Sequence, residues 1–134
     1  HILRAQEPTV SCINSISQRA ALAALLGPQD CVAEMRAAYA ARCRLVSSIL
    51  DAHGLAYSTP RGAFYTMVDI SPSGLDDLDV SRRLVAERRV AVAPGTAFGP
   101  GSGHFVRLSL ASADDVLREG TTRVAAAINT WASA

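Results

Sequence analysis

The sequence predicts an α/β fold in which helices pack on a small, largely antiparallel or mixed sheet. Three observations carry this. Val32, Met35, Tyr39, Cys43, Val46 and Leu50 follow one another at steps of three or four, the apolar stripe of one long helix. The run from Ala63 to Ile70, AFYTMVDI, is rich in aromatic and β-branched residues and reads as a central strand. The order of elements is helix, helix, strands, helix, strand, strand, helix, which suits a sheet covered by helices. A chain of 134 residues fits one domain, 1–134, and should bury roughly two-thirds of its unfolded surface.

Residues 1–14 show no helical period and contain Pro8, so they read as an extended or irregular linker that starts abruptly, as though cut from something longer. From Ser15 to Leu26 a helix is expected, with Ile16, Ala20, Ala23 and Leu26 on one side. Gly27-Pro28 separates it from the long helix, whose first turn carries Asp30 and whose end is marked by His53 and Gly54. Leu55 to Ser58 is a short candidate strand, and Pro60-Arg61-Gly62 turns the chain into the Ala63–Ile70 run. The next helix spans Asp77 to Arg89, with Val80, Leu84 and Val85 inward and Arg82 and Arg83 outward. A short strand, Val90 to Ala93, stops at Pro94-Gly95. A glycine-rich loop from Phe98 to Gly103 leads to the strand His104–Ala111. Ser112-Ala-Asp-Asp115, near in pattern to a capping box, opens the last helix, with Leu117, Val124, Ile128 and Trp131 as its stripe.

Composition narrows the function classes. All 13 basic residues are Arg, so the chain has no lysine and cannot form a Schiff base through a side-chain amine. No apolar run is long enough for a membrane span and no signal pattern opens the chain. No basic cluster with interleaved aromatics suggests nucleic acid. Cys31 and Cys43 lie ~18 Å apart along one helix at 1.5 Å per residue, too far for a disulfide, so buried free thiols in a reducing cytoplasm are expected. The three histidines are dispersed, giving no metal-ligand spacing: His1 ends the chain, His53 caps a helix and His104 sits at a strand edge. Asp76, Asp77 and Asp79 lack the glycine and distal glutamate of a calcium loop and read as a solvated helix start. Gly99 to Gly103 is no phosphate cradle, because Pro100 removes a donor and a strand follows it rather than a helix. The serines around Ser11, Ser15 and Ser17 lack a nucleophile elbow.

Arg107 is the residue to watch. Strand alternation puts Phe105, Arg107, Ser109 and Ala111 on one face and Val106, Leu108 and Leu110 on the other. A guanidinium among apolar neighbours is costly without a partner, and a carboxylate would pair it fork to fork. The local pattern by itself favours a solvent-facing arginine on a half-exposed strand.

Three stretches taken together resemble the class I/II aminotransferase family, with the aspartate-aminotransferase fold. They are Pro8-Thr-Val-Ser-Cys-Ile-Asn14-Ser-Ile-Ser-Gln18 continuing to Asp30, then Pro60-Arg-Gly62-Ala-Phe64-Tyr65, then Val90 to Gly99 followed by Gly103-His-Phe-Val-Arg107-Leu-Ser109-Leu-Ala111. Each is weak alone; their order and spacing cover essentially the whole chain. The resemblance implies the small carboxy-terminal domain of a subunit roughly three times longer, usually a homodimer, whose pyridoxal-phosphate-binding large domain is not in this chain. It implies amino-group transfer from an amino acid to a 2-oxo acid, with Arg107 gripping the α-carboxylate. Pro94, Gly95 and Phe98 would line the cleft, and Asn14 and Ser15 would belong to a segment approaching the neighbouring subunit's site. No catalytic, cofactor-binding or metal-ligating residue is expected in this piece, which alone would be inactive. A β-lyase or decarboxylase on the same fold, the ligand-binding domain of a transcriptional regulator, and an unrelated α/β binding module are the competing readings.

Overall fold

A computed structural model describes residues 2–10 and 12–133. The chain divides into two compact units, His1–Met35 and Arg36–Ala134. His1, read from the sequence as the end of the chain, and Ser11, read as one of the serines without a nucleophile elbow, lie outside the described residues.

In the first unit, helix α1 covers Ile2–Val10, where the sequence suggests extended or irregular chain. The inference from Pro8 is therefore corrected. Pro8 stands near the helix end and removes only the N–H that would reach back to residue 4, a loss a short terminal turn can absorb. The Thr9 hydroxyl donates to the Ala5 carbonyl at 2.7 Å in the same turn. Helix α2, Ser15–Leu26, has the expected bounds. Asn14 caps it, its side-chain oxygen accepting from the Ser17 N–H at 2.8 Å. No residue of α2 is buried, so its apolar side chains, Ile16 and Leu26 among them, remain on the surface.

Helix α3, Asp30–Ala52, begins in the first unit and continues into the second. Its stripe is a core stripe only in its second half. Val46 and Leu50 are buried, Tyr39 and Cys43 pack half-buried against the core, and Val32 and Met35 are 52% and 55% exposed. The helix ends as predicted: His53 Nδ1 lies 2.8 Å from the Ile49 carbonyl, and Gly54 takes the left-handed conformation, φ 69°. All three cysteines are free, but the expectation that they are buried fails, since Cys12 and Cys31 are exposed and Cys43 is half-buried.

The second unit holds a three-stranded antiparallel sheet of β1 (Tyr65–Asp69), β2 (Ala93–Pro94) and β3 (Phe105–Ser109), in the order β1-β3-β2. The middle strand is thus β3, not the Ala63–Ile70 run. The candidate strand at Leu55–Ser58 reduces to a single bridge, Tyr57 with Val68, on the free side of β1. The expected Val90–Ala93 strand shortens to two residues and includes Pro94, which lacks a ladder donor and sits on the outer strand where none is needed.

Helix α4, Asp77–Arg83, runs on into a wider π-helical turn, Leu84–Arg88. Val80 and Leu84 are buried as expected, whereas Val85 is 54% exposed, since at 3.6 residues per turn it lies about 140° round the helix from Val80. Helix α5, Asp114–Ala132, starts from Ala113 with no side-chain cap, so Ser112 does not close a capping box. Leu117, Val124 and Ile128 are buried and Trp131 packs at the rim. One core joins these side chains to Val68, Val106 and Leu108 on one face of the sheet. An Arg42–Asp114 ion pair, 3.2 Å, ties α3 to α5 beside it.

Candidate functional site

Strand β3 buries Val106 and Leu108 against the core, and the pleat turns Arg107 to the opposite face, which the core does not cover. Arg107 stands at the centre of the sheet, paired with Met67 of β1 and Ala93 of β2. Its guanidinium carbon lies 4.4 Å from the ring centre of Phe98 and 5.3 Å from that of Tyr65. Two aromatic faces thereby hold the cation while satisfying none of its N–H groups by hydrogen bonding. Tyr65 is itself steadied by Phe64, whose ring meets it edge-on at 5.6 Å.

Among the described residues no acid pairs with Arg107. The ion pairs among the described residues are Arg42–Asp114, Arg82–Asp79 and Arg123–Glu119. Arg107 Nε is buried without a hydrogen-bond acceptor. Arg88 Nε shares that condition, so an orphan nitrogen alone is not diagnostic. What distinguishes Arg107 is the combination: mid-sheet, on the outer face, gripped by two rings and lacking an anion. Such a group is shaped for a planar carboxylate, whose two oxygens match the guanidinium fork. A groove of about 620 Å³ between α3 and the 60–64 turn, lined by Arg36, Arg44 and Arg61 among others, does not include Arg107.

The residues expected to line a cleft separate into two groups. Pro94 in β2, then Gly95 and Phe98 in the 3-10 turn Gly95–Phe98, belong with Arg107, and Phe98 touches it directly. Asn14 and Ser15 sit in the first unit at the start of α2, where Asn14 serves as the helix cap. Gly95 is buried against the chain that returns to β3. A Cβ there would fall inside contact distance of the Ser102 carbonyl oxygen and 2.5 Å from that of Phe105.

Two contributors were not singled out from the sequence as site residues. Tyr65 was legible in principle, since alternation along β1 places it with Met67, opposite the buried Thr66 and Val68. Asp77 reads locally as part of a solvated acidic helix start, and that reading is corrected: it is only 3% exposed. Its Oδ2 accepts from the Thr96 N–H at 2.7 Å and the Thr96 hydroxyl at 2.8 Å. Asp76 is the helix cap, accepting from the Asp79 N–H. The Thr96 backbone N–H, more than any other contact, holds the Asp77 carboxyl below the ordinary 3.8, against the opposing effect of burial.

This has a consequence for acid stability. A depressed folded pKa means the unfolded chain takes up the proton first, so the stabilisation is present above about pH 4 and is lost as pH falls below it. Asp77→Asn is therefore expected to lower stability at neutral pH and to narrow the gap to the unaltered chain in acid. Urea denaturation at about pH 7 and about pH 3 checks this, and an equal gap at both values contradicts it.

Among the described residues no cluster of His, Cys, Asp and Glu is placed to hold a metal, and no helix is long and apolar enough to cross a membrane. A family profile described as aminotransferase class I and II matches residues 1–124. The chain is 40% identical over 124 residues to a probable N-acetyl-LL-diaminopimelate aminotransferase of Bacillus subtilis, covering 92% of this chain and 32% of that protein. It is 40% identical over 133 residues to an aspartate aminotransferase of Rhizobium meliloti, covering 91% and 32%. Among solved structures, an aromatic aminotransferase from Pyrococcus horikoshii superposes with a TM-score of 0.85 at 35% identity, over 95% of this chain and 35% of that one. The aspartate aminotransferase of Thermotoga maritima superposes with a TM-score of 0.81 at 35% identity, over 94% and 32%. The chain thus spans about a third of the length of the relatives it matches. A match across nearly the full chain, in sequence and in fold together, shows that it belongs to the class I and II aminotransferase family.

Proposed function

We propose that this chain is the substrate-clasping small domain of a pyridoxal-phosphate-dependent aminotransferase, and that Arg107 binds the α-carboxylate of the amino acid and of the 2-oxo acid. The observation that carries the reading is a guanidinium in contact with the Tyr65 and Phe98 rings on the outer sheet face, with no ion-pair partner among the described residues. Fixing the carboxylate at two oxygens sets the orientation of the rest of the amino acid, including the Cα–H bond to be broken. Phe98 and Tyr65 keep the cation in one place before substrate arrives, which reduces the ordering cost of binding.

The residues of this chain do not fit a covalent cofactor site, because no lysine is present. Pyridoxal phosphate would be held by the large domain of the complete subunit, where it supplies the electron sink for the reaction. Residues 1–14, α1 included, would connect to that domain, and the complete subunit would work as a cytoplasmic homodimer. The segment holding Asn14 and Ser15 would approach the neighbouring subunit's site.

For the 134-residue chain alone the expected result is no transamination and no borohydride-stable pyridoxyl label on any side chain. Mass spectrometry after incubation with pyridoxal phosphate and borohydride checks this; a label on a side chain contradicts it. The complete enzyme, assayed with a panel of 2-oxo acids, tests the reaction itself. Release of carbon dioxide or of a β-substituent without 2-oxo-acid-dependent turnover would instead assign a decarboxylase or β-lyase, which hold a carboxylate in the same way.

A further inference from the structure

We propose that Asp77 is a positioning residue for Arg107, acting through Thr96 and Phe98: its buried carboxylate pins the turn that lays the Phe98 ring on the guanidinium. The inference rests on the carboxylate-binding reading of Arg107 and adds a component from another part of the chain. Asp77 belongs to the first turn of α4, and Thr96 to the turn Gly95–Phe98, 19 positions later. One carboxylate oxygen takes both donors of Thr96, the backbone N–H at 2.7 Å and the hydroxyl at 2.8 Å. A backbone bond fixes the path of the main chain, and the hydroxyl bond fixes the Thr96 rotamer as well.

The turn is anchored on its other side by Gly95, which lies so close to the Ser102 and Phe105 carbonyls that no Cβ fits. Two residues beyond Thr96, the Phe98 side chain returns over β3 and reaches Arg107 at 4.4 Å. Phe98 is otherwise poorly supported: it is 48% exposed, and the chain after it enters Gly99 at φ 139°. The position of its ring therefore depends on the anchored half of the turn. No cation pairs with Asp77 among the described residues, so its charge is borne by the Thr96 donors and the N–H groups of the helix start. With those donors the buried carboxylate more than recovers its lost hydration. What it secures here is one geometry for the turn beside the arginine.

The test uses the complete holoenzyme and steady-state kinetics with a good amino-acid substrate. Asp77→Ala is expected to raise KM by about tenfold while kcat falls by less than about threefold, the pattern of a displaced binding group with the chemistry intact. Thr96→Ser keeps both donors and is expected to stay close to the unaltered enzyme. Thr96→Val keeps only the backbone donor and is expected to raise KM by an intermediate factor. A purely structural role for Asp77 would lower the melting temperature while leaving KM of the folded enzyme within about twofold, and that result overturns the proposal. Should Asp77→Ala fail to fold, Thr96→Val decides by the same criterion. Arg107→Ala, run in parallel, separates the two ideas: a large loss there with unchanged KM in the Asp77 and Thr96 variants removes the positioning role alone. No loss in any variant removes the reading of Arg107 as well.

Discussion

Replacing Arg107 by alanine in the complete enzyme is expected to lower kcat/KM by about two to three powers of ten, corresponding to a few kcal/mol. The substitution removes a cation whose immediate neighbours Met67, Ala93, Tyr65 and Phe98 carry no charge to replace it. A carboxylate arriving there would be desolvated against two aromatic rings with no cation to receive it. Arg107→Lys is expected to recover little, because an ammonium is a point charge without the planar fork that matches a carboxylate. Steady-state kinetics with several amino acids provide the check. A loss below about fivefold for Arg107→Ala would remove the role assigned to this residue. Because every amino-acid substrate carries an α-carboxylate, the loss should be similar across donors, whereas a residue reading the side chain would affect some donors far more than others.

Gly95→Ala is expected to be the most damaging small change in the second unit, destabilising it by about 3 kcal/mol. The added methyl group would meet two backbone carbonyl oxygens, of Ser102 and Phe105, and neither can swing aside as a side-chain tip could. Relief requires moving the Gly95–Phe98 turn away from β3, which also carries Phe98 off Arg107. A fall in melting temperature of about 10 °C would accompany the loss for a chain of this size. Gly120→Ala is the internal contrast. Gly120 lies inside α5, with nothing within 4 Å of an added Cβ, so alanine there should stabilise by about 0.5–1 kcal/mol. Thermal unfolding of both variants measures the pair, and equal shifts would mean that close approach at Gly95 has no energetic consequence.

The contrast between these glycines shows what a sequence conceals. Gly95 and Gly120 are the same residue in print, and only the return of the chain to β3 crowds one of them. The same holds for the acidic trio at α4. Asp76 and Asp79 behave as a solvated helix start should, with Asp76 capping and Asp79 facing Arg82, whereas Asp77 is drawn inside by Thr96. Local rules also meet exceptions in this chain: Pro8 lies inside a helix, Val85 sits off the buried face of Val80 and Leu84, and the apolar stripe on α3 is buried for only half its length.

From its own residues the chain determined the bounds of α2 and α3, the places of the later helices and of β1 and β3, and the alternation that separates Arg107 from Val106 and Leu108. Those features follow from the 3.6- and two-residue periods of the backbone, which neighbouring residues decide among themselves. Tertiary structure alone decided which strand is central, which aspartate is buried, and that the rings of Tyr65 and Phe98 both reach the Arg107 guanidinium. Burial and stacking depend on segments distant in sequence arriving at one place, and no local period encodes that arrival.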